Sequence, residues 1–167
     1  MAAIPPGDDP AEHHPYPPHG ELPVRLAGRI IVLDPGNRVL LFRYDDPPPF
    51  GVHWSTPGGG LDPGEDYYDG AVRELIEETG WTDVPVGRQE VLRHDRDLWR
   101  GTEVRRQHER FFLARVEVAR RPVGDVNGMH ASDGIAASRW WTVAELETTA
   151  ETIIPPNLAA VLRGLIP

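Results

Sequence analysis

The strongest constraint on the fold comes from two runs of β-branched and aliphatic residues, RLAGRIIVL (25–33) and VLLFRY (39–44). The residues between them, DPGN (34–37), are typical of a tight turn, so the two runs predict a β-hairpin. An isolated hairpin is at best marginally stable in water, and these strands are too apolar to stay exposed. The pattern therefore predicts a larger sheet with at least one covered face.

A helix that can cover this sheet follows the glycine-rich stretch WSTPGGGLDPGE (54–65). Asp66 fits the N-cap, with Asp69 as the third helical residue, and Gly80 fits the C-terminal cap. At 100° per residue the helix has an apolar arc and an opposite acidic arc. The apolar arc holds Ala71, Val72, Leu75, Ile76 and Thr79, and the acidic arc holds Glu74, Glu77 and Glu78.

Further elements complete the predicted layers. RQEVLRHDRDLW (88–99) and ERFFLARVEV (109–118) predict strands, with RGTEVRRQH (100–108) as their connection. A capping box at Thr142 and an apolar stripe over residues 157–163 predict two more helices. Together these elements predict an α/β (α+β) sandwich, in which a mixed β-sheet is flanked by helices.

The sequence changes character near residue 24. Residues 1–23 are rich in proline, which is incompatible with a regular helix or a central strand, so they predict an extended N-terminal arm. Residues 24–167 are long enough to form one domain with its own core. A second copy of the chain is a natural resting place for the arm, so a homodimer is considered.

Composition excludes several chemistries. All 17 basic residues are arginine and cysteine is absent, which excludes Schiff-base, phosphate-loop lysine and thiolate chemistry. A net charge of −9 is unsuited to nonspecific binding of a nucleic-acid polymer. No apolar run approaches the ~20 residues that span a bilayer, and no secretory signal is present, so we expect a cytoplasmic protein without a membrane partner.

The three glutamates of the acidic arc are three and four positions apart. Like charges at these spacings destabilise an isolated helix by about 0.2–0.5 kcal/mol per pair. Carboxylate oxygens are also the ligands that hard divalent cations such as Mg²⁺ prefer. Taken alone, Glu74, Glu77 and Glu78 fit either a solvated helix face or a metal site.

The flanking residues resemble the Nudix box. The segment has the pattern Gly59-x5-Glu65-x7-Arg73-Glu74-Leu75-x-Glu77-Glu78-x-Gly80-Trp81, which agrees with the box at each specified position. Trp81 is a mild departure, because an aliphatic residue is usual there. The resemblance extends loosely over residues 26–146. It implies a Nudix-type pyrophosphohydrolase that acts on phosphorus-containing acid anhydrides.

The resemblance also implies roles for individual residues. Glu74, Glu77 and Glu78 would bind Mg²⁺ or Mn²⁺ together with the backbone carbonyl of Gly58. Arg73 completes the predicted catalytic set by joining helix and loop through ion pairs. Supporting roles in the loop and at the helix end fall to Gly59, Glu65 and Gly80.

One carboxylate must accept the proton of the attacking water. The candidates, in order of preference, are Glu78, Glu109 and Asp133, and Glu103 is a further one. For substrate contacts we consider Arg43 for a phosphate, Trp99 for stacking on a base, and Glu109.

The implied substrate is a small nucleotide, namely a nucleoside diphosphate linked to another moiety such as a sugar. One alternative is a pool-sanitising enzyme that removes pyrophosphate from nucleoside triphosphates. An alternative of another class is a catalytically silent regulatory module that binds nucleotides.

Overall fold

The computed structural model of the chain describes residues 22–46, 51–100, 103–123 and 134–167, except the side chains of residues 99 and 100. Residues 1–21 of the predicted arm lie outside this range. The described residues form the following elements in chain order: β1 (Val24–Leu33), β2 (Val39–Asp45), β3 (Val52–Ser55), β4 (Gly58–Gly60), α1 (Tyr67–Thr79), β5 (Val86–Arg100), β6 (Glu103–Arg115), β7 (Ile135–Trp141), α2 (Val143–Thr148), β8 (Ile153–Ile154) and α3 (Leu158–Leu165).

The predicted hairpin is formed by β1 and β2, which pair antiparallel with Leu33 opposite Val39. The carboxylate of Asp34 accepts hydrogen bonds from the N–H groups of Gly36 and Arg38, at 2.9 and 2.8 Å. An aspartate that bonds the backbone two residues ahead is a common way to close a tight turn. The turn chemistry in the sequence was therefore sufficient to find this hairpin.

The strands form one mixed sheet in the order β5-β6-β1-β2-β3-β8, with β4 also paired to β1 and β7 also paired to β2. β1 is parallel to β6 and β3 is parallel to β8, while the other described pairs are antiparallel. This mixed sheet confirms the predicted pairing class.

Helices cover both faces of the sheet. Ile30 and Ile31 are neighbours on β1 and therefore point to opposite faces. Ile30 packs in one core cluster with Leu75 of α1, whereas Ile31 packs in the other with Leu158 of α3. Both isoleucines are fully buried. The predicted sandwich is confirmed.

None of the helices in the described part of the chain has the length and apolar content that a bilayer crossing requires.

The sequence-based prediction was wrong about the connection between β5 and β6. Most of the residues assigned to it belong to β6, which begins at Glu103. Charged pairs across the two strands replace the apolar alternation expected of a strand. Arg106 pairs with Asp97 at 2.8 Å, and Arg110 pairs with Asp95 at 3.3 Å. Opposite charges on paired strands stabilise a ladder, so β6 extends through a segment with few apolar residues.

The caps of α1 agree with the prediction. Asp66 accepts a hydrogen bond from the N–H of Asp69 at 2.8 Å, and Gly80 has φ 73°, where its N–H donates to the carbonyl of Ile76. The exposure of two side chains differs from the prediction: Ile76, of the apolar arc, is 37% exposed, whereas Glu78, of the acidic arc, is 2% exposed. The reason is that β4 lies against part of the acidic arc and covers Glu78.

Gly28 sets the distance between α1 and the sheet. A Cβ atom at Gly28 would lie 2.2 Å from the carbonyl oxygen of Tyr67 and 2.7 Å from the nitrogen of Ala71. Only glycine therefore permits this close approach of helix to strand. Gly28 is also paired with Gly59 of β4, so the same contact places the glycine-rich stretch beside the acidic side of α1.

Candidate functional site

Arg73 joins the loop after β4 to helix α1. Its Nε and Nη2 atoms donate to Oε1 and Oε2 of Glu65, at 2.7 and 2.9 Å. Nη2 also donates to the carbonyl of Gly60 at 2.9 Å. Paired hydrogen bonds between a guanidinium and a carboxylate fix the orientation of both groups. The loop residue Glu65 is thereby held against the helix.

The same guanidinium contacts two of the three acids on the helix. Nη1 of Arg73 lies 3.0 Å from Oε1 of Glu74 and 3.0 Å from Oε2 of Glu77. We name this group the Arg73 cluster: Asp62, Glu65, Arg73, Glu74 and Glu77. The protein itself therefore compensates part of the repulsion along the helix. One guanidinium faces four carboxylates, so the Arg73 cluster keeps a surplus of negative charge.

These contacts shift the pKa values of both partners. The hydrogen bonds from Arg73 lower the pKa of Glu65 to about 2, and the N–H of Asp62 adds to this effect. Hydrogen bonding to Glu65 in turn raises the pKa of Arg73, although burial opposes it. Both groups are charged at neutral pH.

Glu78 lies in a different environment from Glu74 and Glu77. Its Oε2 accepts a hydrogen bond from the N–H of Gly58 at 2.8 Å, and its Oε1 lies 3.4 Å from the hydroxyl of Tyr44. A buried carboxylate is costly unless it is hydrogen-bonded, and these contacts meet part of that cost. Glu78 is therefore fixed in the cleft between α1 and β4.

At Gly59, β4 lies close to Glu74 on the acidic face. A Cβ atom there would lie 2.7 Å from both Cδ and Oε1 of Glu74. Any side chain would displace the Glu74 carboxylate, which explains the glycine at this position.

A divalent cation fits these residues in donor type and in charge. Within the described ranges, no three Asp, Glu or His side chains are grouped in a ready-made metal cluster. Glu74 and Glu77 instead contact Arg73. Carboxylate oxygens in charge surplus are nevertheless the donors that suit Mg²⁺ or Mn²⁺. The metal role of Glu74, Glu77, Glu78 and the Gly58 carbonyl stays a prediction.

A second polar group lies in the sheet, on strands β1, β5 and β6. We name it the Glu109 cluster: Arg29, His94, Arg96, Gln107 and Glu109. Glu109 is fully buried. Its Oε1 accepts from Nε of Arg29 at 2.5 Å and from Nε2 of Gln107 at 2.7 Å. Nδ1 of His94 lies 2.8 Å from its Oε2. The carboxylate is thus surrounded by donors.

This environment argues against Glu109 as the general base or as a substrate contact. Burial alone would raise the pKa of Glu109, but the charge of Arg29 and the hydrogen bond from His94 outweigh it and lower the pKa well below its ordinary value. A general base must reach the reacting water and hold a proton. Both oxygens of Glu109 are already occupied by donors and it favours the ionised form, so the geometry favours a structural role, and its roles as general base and substrate contact stay predictions.

Arg29 connects the Glu109 cluster to the residues beside α1. Its Nη1 donates to the carbonyl of Thr56 at 2.9 Å and lies 3.4 Å from the carbonyl of Gly58. The N–H of the same glycine donates to Glu78. The Gly58 backbone is therefore held by the Glu109 cluster on one side and by helix α1 on the other.

Sequence reasoning did not identify Arg29, His94 or Arg96 as site residues. One signal was available in the sequence, because polar residues alternate within these strands. In the structure His94 is paired with Glu109, and Arg96 is paired with Gln107. Paired residues share one face of a sheet. Finding the cluster required the strand register, which the wrong boundary of β6 concealed.

Two other candidates, Arg43 and Glu103, form ion pairs within their own strands. Arg43 lies on β2 and pairs with Asp45 at 3.2 Å. Glu103 lies at the start of β6, where it is exposed and pairs with Arg105. The backbone of Trp99 is paired with Val104, but its side chain lies outside the described residues, as does Asp133.

Comparison with known proteins gives concordant matches. A family model described as the NUDIX domain matches residues 23–162. The chain is 29% identical over 161 residues to an RNA pyrophosphohydrolase of Sphingopyxis alaskensis, covering 89% of this chain and 94% of that protein. It is 44% identical over 52 residues to a putative 8-oxo-dGTP diphosphatase of Bacillus subtilis, covering 31% and 32% of the two chains.

Solved structures share this fold. It is similar to the MutT protein from Methanosarcina mazei, with a TM-score of 0.66 and 20% identity, over 87% of this chain and 95% of that one. This likeness supports the fold, and the family match confirms the resemblance that the residues from Gly59 to Trp81 indicated.

Proposed function

The chain belongs to the Nudix family, and on that premise we propose that it hydrolyses a phosphoanhydride bond of a nucleotide with Mg²⁺ or Mn²⁺. The family match and the similar RNA pyrophosphohydrolase confirm the predicted Nudix-type pyrophosphohydrolase. The observation that supports the metal-dependent reaction is the surplus of carboxylates in the Arg73 cluster, beside the buried Glu78.

Glu74, Glu77 and Glu78 would hold the cation with the carbonyl of Gly58. When bound, a divalent cation supplies neutralisation of the charge that develops on a transferred phosphoryl group. Arg73 orients Glu74 and Glu77 through its Nη1 contacts. The N–H of Gly58 fixes Glu78, which we propose as the group that accepts the proton of the attacking water.

For the substrate we propose a nucleoside diphosphate linked to another moiety. A second candidate is the release of pyrophosphate from a 5′-triphosphate, either a nucleoside triphosphate or the end of an RNA. The names of the similar proteins, RNA pyrophosphohydrolase and putative 8-oxo-dGTP diphosphatase, favour this second candidate. An RNA end would be a polymeric substrate, which the prediction of a small nucleotide did not include.

A product analysis separates these candidates. The purified chain is incubated with nucleotide sugars, dinucleoside polyphosphates, nucleoside triphosphates and a short 5′-triphosphorylated RNA, each with Mg²⁺ or Mn²⁺. A linked diphosphate yields two monophosphates, whereas a triphosphate yields a monophosphate end and pyrophosphate. Tight nucleotide binding with no product from any substrate would instead support the silent regulatory module.

We further propose that residues 1–23 form an arm outside the catalytic domain of residues 24–167 and that two chains associate through it. Light scattering of the full chain and of a variant without residues 1–20 tests this assignment. We expect the variant to keep its specific activity and to lose mass per particle. Loss of activity in a folded monomeric variant would overturn the proposed boundary.

A cytoplasmic location stays a prediction.

A further inference from the structure

The Glu109 cluster contains more positive charge than its carboxylate can compensate. Oε1 of Glu109 is occupied by Arg29 and Gln107, and Oε2 by His94. Nε of Arg96 lies 3.5 Å from Oε2, and this buried nitrogen has no hydrogen-bond partner among the described residues. Arg96 is therefore the guanidinium of the cluster that Glu109 holds least closely, although the charge of Asp46 also acts on it.

The positive charge of Arg96 is unusually buried, because its side chain is only 16% exposed. Burial lowers the pKa of Arg96, Glu109 raises it, and the neighbouring charge of Arg29 lowers it again. A buried cation is costly when it lacks a hydrogen-bonded partner. Its Nε is buried, so an anion from solution can reach only the exposed 16% of the side chain.

The position of Arg96 relates it to the proposed reaction. Arg29 and Tyr44 are close enough to Arg96 to act on its pKa, and both also interact with Glu78. The surplus of positive charge therefore lies on one side of the Gly58 backbone, and the box carboxylates lie on the other. A nucleotide with two or more phosphates carries anionic groups along its length, as binding on both sides of Gly58 would require.

We propose that Arg96 forms an anion subsite that binds a phosphate group of the nucleotide substrate. The guanidinium is planar and always charged, and it can donate two parallel hydrogen bonds to phosphate oxygens. Glu109 and His94 hold the surrounding side chains in place. The phosphate identity of the ligand rests on the proposed function, whereas the anion subsite follows from the cluster itself.

The test compares Arg96→Gln with Arg93→Gln. Arg93 lies on the same strand, but its side chain is 70% exposed and pairs with Glu90, so it is a matched control. We expect Arg96→Gln to raise KM by about tenfold or more, the effect of losing a hydrogen bond to a charged group, while kcat changes far less. Arg93→Gln should leave both constants unchanged.

A second measurement does not depend on turnover. In metal-free buffer, inorganic pyrophosphate should raise the Tm of the wild-type chain and of Arg93→Gln, but not of Arg96→Gln. Without ligand, Arg96→Gln should be as stable as the wild type or more stable, because it removes an undercompensated buried charge. A purely structural arginine would give the reverse, a lower Tm with no loss of the pyrophosphate response.

The two measurements separate this proposal from the proposed function. If no substrate is turned over but pyrophosphate still stabilises the chain through Arg96, the subsite stands and the proposed reaction fails. If turnover is seen and Arg96→Gln keeps the wild-type KM and the wild-type pyrophosphate response, the subsite is overturned.

Discussion

The Arg73 cluster and the Glu109 cluster both combine arginine with carboxylates, but in opposite proportions. In the first, one guanidinium faces four carboxylates at the partly exposed side of α1. In the second, two guanidiniums and an imidazole converge on one fully buried carboxylate. The Glu109 cluster and helix α1 meet at the backbone of Gly58, whose carbonyl lies 3.4 Å from Arg29 and whose N–H donates to Glu78. The proposed metal site and the proposed anion subsite would thus be two halves of one candidate site.

The difference in burial predicts different consequences of mutation. Ion pairs near the surface contribute little to stability, because water already solvates their charges. Breaking a buried pair leaves a charge that neither water nor protein compensates. We therefore expect substitutions beside α1 to alter turnover, and substitutions of Glu109 to alter the free energy of unfolding.

The largest expected effect is on turnover in Glu78→Gln. The substitution removes the proposed proton acceptor and one proposed metal ligand while keeping the side-chain shape. We expect kcat to fall by about 10³-fold, with a Tm close to that of the wild type. Steady-state kinetics with Mg²⁺ and a thermal melt measure both quantities.

Glu147→Gln is the control for this substitution, because Glu147 pairs with Arg163 away from the box. Glu77→Gln should behave like Glu78→Gln, although Glu77 is more exposed. Near-wild-type turnover in Glu78→Gln would remove the carboxylates beside α1 from the reaction.

The next effect is on stability, in Glu109→Gln. This variant removes the charge of the carboxylate that the buried Arg29 and Arg96 share, so the free energy of unfolding should fall by about 3 kcal/mol or more. Urea denaturation measures the loss, and Glu117→Gln, at an exposed position, is the control. If both variants are equally stable, the buried cluster does not carry the energetic role that its geometry implies.

A smaller effect, on kcat, is expected for Gly59→Ala, at the point where β4 meets helix α1. Gly59→Ala adds a Cβ atom 2.7 Å from the Glu74 carboxylate, which must then move. Displacing a proposed ligand through its support should lower kcat by about tenfold. Gly164→Ala is the matched control, because a Cβ atom there meets no atom within 4 Å. An unchanged kcat in Gly59→Ala would show that the position of Glu74 is not critical.

The part of the fold that could be predicted from sequence is the part with local signals. The turn at Asp34, the caps of α1 and the capping box at Thr142 are each determined by residues within a few positions. The exposed half of the site follows in the same way, because Glu65 and Arg73 belong to one contiguous motif.

The buried half could not be predicted, because it depends on contacts between residues far apart in sequence. Arg29 and Glu109 are 80 residues apart and meet only through the parallel pairing of β1 with β6. Helical periodicity likewise placed Glu78 among solvent-facing acids, but a neighbouring strand covers it. Periodicity reports the two sides of a helix and not what packs on them.

The smallest expected effect is a pH-dependent difference in stability between the wild type and Glu65→Gln. The pKa of Glu65 is lowered to about 2 from an ordinary value of 4.5, so its bond to Arg73 contributes fully above pH 4.5 and is lost as the pH falls toward 2. The stability difference between the wild type and Glu65→Gln should therefore be greatest above about pH 5 and shrink with acidification. Urea midpoints measured between pH 2 and pH 7 test this, with Glu117→Gln as the control. A difference that stays constant with pH would show that the loop is not held by the Glu65 charge, and the Arg73 cluster would then act on the helix acids alone.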